Sequence, residues 1–212
     1  MRLFLILFLL FSISPLNAQQ KYLIDWQEIG EESIGHLVDL IQIKSINPPG
    51  NETKVTDYLS NILESEGISY EIFALEESRA SIVARIKGNG NKKPILIMGH
   101  TDVVDVQEDK WFEDPFSGLR QNGFIYGRGS LDDKDNVTAG LMVLKLLKRF
   151  NIQLERDVIF LAESGEEGTP EVGINFLIEK HFDAIDAEYC LAEGGQNIIE
   201  NGKVVPVGIA TA

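Results

Sequence analysis

Four short segments bring acid or imidazole groups beside glycine. They are Met98-Gly99-His100-Thr101-Asp102-Val103, Tyr126-Gly127-Arg128-Gly129-Ser130-Leu131-Asp132-Asp133-Lys134, Glu163-Ser164-Gly165-Glu166-Glu167-Gly168 and Leu191-Ala192-Glu193-Gly194-Gly195. Each lies at or near the carboxyl end of an apolar stretch that reads as a strand, and open α/β sheets bind ligands at that edge. Glycine lets the backbone turn tightly and come close to a ligand. Neighbouring acids such as Asp132–Asp133 and Glu166–Glu167 repel one another, and unpaired carboxylates are costly to bury. A divalent cation offsets both costs, and zinc accepts imidazole nitrogen and carboxylate oxygen. Any one segment alone is a weak signal, because acid pairs commonly sit in solvated turns. Four in order, each at a strand end, point to a metal site.

Composition narrows the partners. The chain has 212 residues, 44% hydrophobic and 25% charged, enough for a sizeable core. Lys plus Arg is 19 and Asp plus Glu is 33, giving a net charge of −14, which excludes nucleic acid and anionic lipid as general partners. The single cysteine, Cys190, excludes an internal disulfide framework and a cysteine-rich zinc site. It is expected as a buried structural thiol on the apolar stretch Tyr189–Ala192.

The elements that must position these groups alternate. Ile34, Leu37, Val38 and Ile41 recur at helical spacing within Trp26–Ile43, and Asn47-Pro48-Pro49-Gly50 ends that unit. Val55, Leu59, Ile62 and Leu63 mark a second helix closed by Gly67. Strands are expected at Tyr70–Phe73, Ser81–Ile86 and Ile95–Met98, with a turn at Gly88–Asn91. A loop is expected from Gly99 to about Asp133, then a helix over Asn136–Phe150, a strand at Asp157–Ala162, a helix over Val172–Lys180, and strands at Glu188–Ala192 and Val204–Ile209. Continuous apolar strands separated by helices imply an α/β fold, with helices on both faces of a mostly parallel sheet. Ahead of this, Met1–Arg2, the apolar run Leu3–Ile13 and Ser14–Ala18 have the layout of a secretory signal peptide over residues 1–18, with Gln19 as the mature N-terminus. A secreted or periplasmic protein is expected, without stable membrane association after cleavage.

The four segments, with Trp111 and Pro115-Phe116-Ser117-Gly118 between the first two, resemble the signature of one zinc metallohydrolase family. It contains glutamate carboxypeptidase, succinyl-diaminopimelate desuccinylase, acetylornithine deacetylase, aminoacylase and carboxypeptidase S. The resemblance runs from about residue 28 to the end of the chain. It implies two zinc ions. His100 and Glu193 would bind one, Glu167 the other, and Asp132 both, with a cis peptide bond between Asp132 and Asp133. Glu166 would be the general base and Asp102 would orient His100. The implied reaction is hydrolysis of an amide bond in small peptides or N-acyl amino acids, with water activated by the metals as nucleophile.

The chain departs from the family pattern in one respect. Members carry a last metal-binding histidine far downstream, after an inserted lid or dimerisation domain. The other histidines here, His36 and His181, match neither position and are expected as surface or packing residues. Residues 19–212 therefore read as the N-terminal part of an incomplete two-zinc catalytic domain, with homodimerisation expected through the absent domain. Two alternatives stay open. Related two-zinc aminopeptidases usually read Gly-Ala-x-Asp-Asn where this chain has Asp132-Asp133-Lys134. A secreted single-metal or non-catalytic binding domain is the other.

Overall fold

The computed structural model describes residues 23–194, 197–201 and 203–207. The expected signal segment, Gly195 and the end of the last expected strand lie outside them. Helix α1 (Trp26–Gln42) begins at Asp25, whose Oδ1 accepts the amides of Gln27 and Glu28 at 3.0 and 3.2 Å. It is followed by α2 (Thr53–Ser65), β1 (Tyr70–Ala74), β2 (Ala80–Ile86) and β3 (Ile95–His100). Then come β4 (Leu119–Gln121), β5 (Phe124–Tyr126), α3 (Lys134–Arg149) and β6 (Val158–Glu163). The short helices α4 (Ile174–Lys180) and α5 (Phe182–Ile185) precede β7 (Tyr189–Leu191), β8 (Asn197–Glu200) and β9 (Lys203–Val207). Among the described residues no helix is long and apolar enough to cross a membrane.

The main sheet has the order β1-β2-β6-β3-β7. Strands β6, β3 and β7 run parallel, and β2 is antiparallel to both its neighbours, so four of the five strands point the same way. Strand β6 is buried at every position, which explains its unbroken apolar run. Phe160 and Ala162 face α2 and α3 through Val55, Leu59, Leu63, Val137 and Leu141. Ile159 and Leu161 face the other way, onto Leu177 of α4 and Ile185 of α5. Helix α3 lies close on the sheet because Gly140 has no side chain: a Cβ there would stand 2.6 Å from the Phe160 ring.

Two expectations are corrected. The stretch from Gly99 to Asp133 is not all loop. It carries the β4–β5 hairpin, turned by Asn122 and Gly123 at φ of 54° and 81°, and Asn-Gly is a strong signal for such a turn. Cys190 is exposed rather than buried. Its strand β7 lies at the edge of the five-stranded sheet, with all three of its residues exposed.

A polar clasp joins α1, α2 and α3 on the side away from the strands' carboxyl ends. Lys145 is almost fully buried, with Nζ 2.6 Å from Glu32 Oε1 and 2.7 Å from His36 Nε2. Arg149 grips Glu32 through two bonds of 2.7 Å and also binds Glu66. The His36 Nδ1 to Tyr58 hydroxyl distance is 2.8 Å, and that hydroxyl donates to Asp39 at 2.9 Å. With the lysine donating, the network fixes His36 as the neutral Nδ1–H tautomer. Burial and the Lys145 charge push His36 below its ordinary pKa. The Arg149 hydrogen bonds, reinforced by Lys145 and opposed by burial, bring Glu32 down to about 2. Both shifts mean that the unfolded chain takes up protons first as pH falls. The contribution of His36 to stability should therefore decline as pH drops below about 6.5, and that of Glu32 below about 4.5. Urea unfolding midpoints of the parent and His36→Gln, measured side by side against pH, should show the parent losing stability relative to the variant as pH falls below about 6.5.

Candidate metal centre

The parallel register of β3 and β6 ends with His100 opposite Glu163, so the strand ends carry an imidazole and a carboxyl side by side. The chain then leaves each strand in a loop that turns over this edge. The loop after β3 brings Asp102, the loop after β6 brings Glu166 and Glu167, the segment before α3 brings Asp132 and Asp133, and the residues after β7 bring Glu193. The Asp132–Asp133 peptide bond is cis.

His100 is 1% exposed. Its Nδ1 lies 3.0 Å from the Asp102 carbonyl oxygen and 3.4 Å from Asp102 Oδ1. Its Nε2 faces the opening, 2.9 Å from Asp132 Oδ1 and 3.9 Å from both Glu166 Oε2 and Glu193 Oε2. Burial alone would depress this imidazole, but hydrogen bonds to Asp102 and Asp132 outweigh it and carry its pKa up to about 10. Asp133 plays a different part from Asp132. It is buried, Oδ2 accepts the His100 amide at 3.0 Å, and Oδ1 accepts from Asn136. That approach requires Gly99, since a Cβ there would lie 2.7 Å from Asp133 Oδ2.

Asp102 is fully buried and anchors the loop after β6 as well as the histidine. Its Oδ1 accepts the Glu166 amide at 3.2 Å, and its Oδ2 accepts the Glu167 amide at 3.0 Å and Asn47 Nδ2 at 2.7 Å. Burial pushes Asp102 up, but the bonds from His100, Asn47 and the Glu167 amide win, and it stays below its ordinary pKa. Glu167 and Glu193 are pushed up, first by burial and then by neighbouring acids, Asp132 for Glu167 and Asp133 and Asp132 for Glu193. Such crowding is relieved by a cation. His100, Asp133 and Glu193, and likewise His100, Glu166 and Glu167, each offer ligand atoms within 4.8 Å of one another. The imidazole–carboxylate donor set therefore fits divalent metal.

The structure thus gathers His100, Asp102, Asp132, Glu166, Glu167 and Glu193 at one edge. His36 lies in the helical clasp, and His181 packs on Phe73 and Phe176, with ring centroids 4.6 and 5.0 Å away. Several supporting residues went unread in the sequence. Asn47 looked like part of a helix terminator, yet its Nδ2 also reaches the Glu167 carbonyl at 3.1 Å and Thr169 Oγ1 at 2.8 Å. Thr169 in turn accepts from Arg79, whose guanidinium grips buried Glu52 at 2.6 and 2.7 Å. Buried Lys134 donates to the Leu40 and Ile43 carbonyls at the end of α1, at 2.8 and 2.7 Å. Burial lowers its pKa to about 7. These contacts span 27 to 122 residues in sequence, so no local pattern announces them.

The fold and site together define an α/β domain with an imidazole–carboxylate donor set at the carboxyl edge of its sheet. The family model described as peptidase family M20/M25/M40 matches residues 96–208, and the chain belongs to that family. It is 36% identical over 159 residues to a probable succinyl-diaminopimelate desuccinylase of Staphylococcus aureus, covering 74% of this chain and 38% of that protein. It is 30% identical over 145 residues to N-formyl-4-amino-5-aminomethyl-2-methylpyrimidine deformylase of Bacillus subtilis, covering 66% and 34%. An M20 family metallo-carboxypeptidase from Sulfolobus solfataricus superposes with a TM-score of 0.67 at 28% identity, over 77% of this chain and 37% of that one. Human carnosine dipeptidase 1 shares the fold at a TM-score of 0.64 and 20% identity, over 78% and 39%. The chain thus spans about two-fifths of the length of the relatives it matches.

Asn47 offers a direct test of the support around Asp102. Asn47→Ala removes a donor from a buried carboxylate and should cost about 1–3 kcal/mol in urea unfolding. Asn47→Asp places a second carboxylate against Asp102 and should cost more.

Proposed function

We propose that this chain forms the N-terminal part of the catalytic domain of an exported two-zinc hydrolase that cleaves an amide bond in small peptides or N-acyl amino acids. The observation that carries the reading is His100 Nε2 facing Asp132, Glu166 and Glu193 at 2.9, 3.9 and 3.9 Å, on the carboxyl edge of the sheet. The relatives' names, a desuccinylase, a deformylase, a carboxypeptidase and a dipeptidase, agree on C–N bonds next to a carbonyl. A neighbour from Bacillus subtilis is described as a dinuclear metal-binding peptidase of the M20 family. The residues at 1–18 support export.

The residues divide the work as follows. By the family resemblance, His100 and Glu193 would hold one ion and Glu167 the other, with Asp132 contributing to both; Asp133 has its two oxygens engaged by the His100 amide and Asn136. Divalent ions bound there would polarise the substrate carbonyl and lower the pKa of a water poised to attack it. Glu166 is 45% exposed at its side chain, with Oε2 3.9 Å from His100 Nε2 at the opening where such a water would sit. It takes the proton from the water as the C–O bond forms and gives it to the leaving nitrogen as the C–N bond breaks. Asp102 keeps the His100 ring turned with Nε2 outward and fixes the backbone of Glu166 and Glu167.

In the full-length protein, Glu166→Ala should retain bound zinc by elemental analysis and lose about 10²–10⁴-fold in turnover of dipeptides and N-acyl amino acids. Unchanged turnover would overturn the assignment of Glu166 as base. N-terminal sequencing of the protein recovered from outside the producing cell should begin at Gln19. Protein found only inside the cell, with Met1 retained, would overturn the export reading.

A further inference from the structure

Glu163 has no role in the chemistry set out above, yet it stands level with His100 at the carboxyl edge of the sheet. It is the last residue of β6, and the parallel register with β3 pairs it with His100. Paired residues of adjacent strands send their side chains to the same face. Glu163 is 4% exposed. Its Oε2 is buried without a hydrogen-bond partner among the described residues. That oxygen is 3.5 Å from where a Cβ of Gly173 would stand, so the carboxyl lies beneath the Ser164–Gly173 loop that carries Glu166 and Glu167.

A buried carboxyl with an unpartnered oxygen is unfavourable, and such a group calls for an explanation. This chain pairs its other deeply buried acids. Glu52 is gripped by two nitrogens of Arg79, Asp102 receives Asn47 and two backbone amides, and Asp133 receives the His100 amide and Asn136. Where packing alone is at stake, leucine, methionine or glutamine would fill the end of β6 at lower cost. Glu163 is therefore placed for what sits above it: His100 beside it, and the carboxylates of Glu166 and Glu193 around the same opening.

We propose that Glu163 is a positioning residue for the metal centre, a carboxyl that touches no ion but adds negative charge beneath it, next to His100 in the strand register. The inference rests on the two-zinc reading above. Groups just outside a metal's ligands commonly change its affinity by about 10- to 100-fold when removed.

The test is zinc affinity and stoichiometry of the full-length protein, measured by competition with a chromogenic chelator, together with the unfolding temperature of the zinc-free form. Glu163→Gln keeps the shape and removes the charge. It should weaken zinc binding about 10- to 100-fold while leaving the zinc-free unfolding temperature unchanged or raised. Glu163→Asp, which keeps the charge but retracts it, should fall between Glu163→Gln and the parent. A residue of merely structural role would lower the unfolding temperature and leave zinc affinity alone. Affinity within twofold of the parent in Glu163→Gln overturns the proposal, and if that variant does not fold, parental affinity in Glu163→Asp does so. His100→Ala separates the two readings. If it retains full zinc stoichiometry, the metal centre itself is misassigned and Glu163 falls with it. If it loses zinc while Glu163→Gln does not, only the role of Glu163 fails.

Discussion

The buried carboxylate of Asp102 is the constraint on which the site's geometry depends. A charge with no solvent exposure must be met by donors inside the protein. Here the donors are the His100 ring, Asn47 and the amides of Glu166 and Glu167. Satisfying one buried charge therefore fixes an imidazole on one strand end and the loop at another. The same bonds leave His100 Nε2 and the two glutamate side chains pointing outward, where they can act.

Charge is handled in two different ways across the molecule. Away from the site, buried charges are closed off. Glu52 is matched by Arg79, and Lys145 by Glu32 and His36. Such pairs add little net stability over apolar packing, but breaking one is costly, so they lock the elements that hold them. Arg79 and Glu52 lock the loop before α2 to the start of β2, and Arg79 extends through Thr169 to the loop after β6. At the carboxyl edge the pattern reverses. Asp132, Glu163, Glu166, Glu167 and Glu193 surround one imidazole, and burial and mutual repulsion raise Glu163, to about 7, together with Glu167 and Glu193. Among the described residues no lysine or arginine forms an ion pair with any of these five acids, and a divalent cation would offset their charge.

Much of this was legible in the sequence because the informative residues are local. The apolar runs at Ile95–Met98 and Asp157–Ala162 announce buried strands, and the glycine-flanked acids follow directly after them. Helical periodicity located α1 and α3 to within two residues at each end, and all four apolar positions expected of a second helix lie in α2. The hairpin at Asn122-Gly123 was signalled by its turn residues but hidden by the short length of its strands. The exposure of Cys190 was not legible, because an apolar strand reads the same whether it lies at the centre of a sheet or at its edge. Asn47, Arg79 and Thr169 were not legible for a deeper reason. Each acts through a partner far away in sequence, and only the register of the fold brings them together.

Glu163 shows what register adds to motif. In sequence it is one acid among three in a six-residue segment, and the adjacent pair Glu166–Glu167 draws the chemical reading. Strand pairing separates them. Glu166 and Glu167 stand on a loop whose backbone Asp102 holds, whereas Glu163 is still in β6, level with His100 and under the loop. The parallel alignment of β3 and β6 thus does two things. It aligns the strand ends so that a ligand and its supports share one edge, and it sets a carboxyl beneath the imidazole where no substrate can reach it. A group so placed can influence an ion above it only through the field it exerts, and in a buried, low-dielectric position that field is little screened.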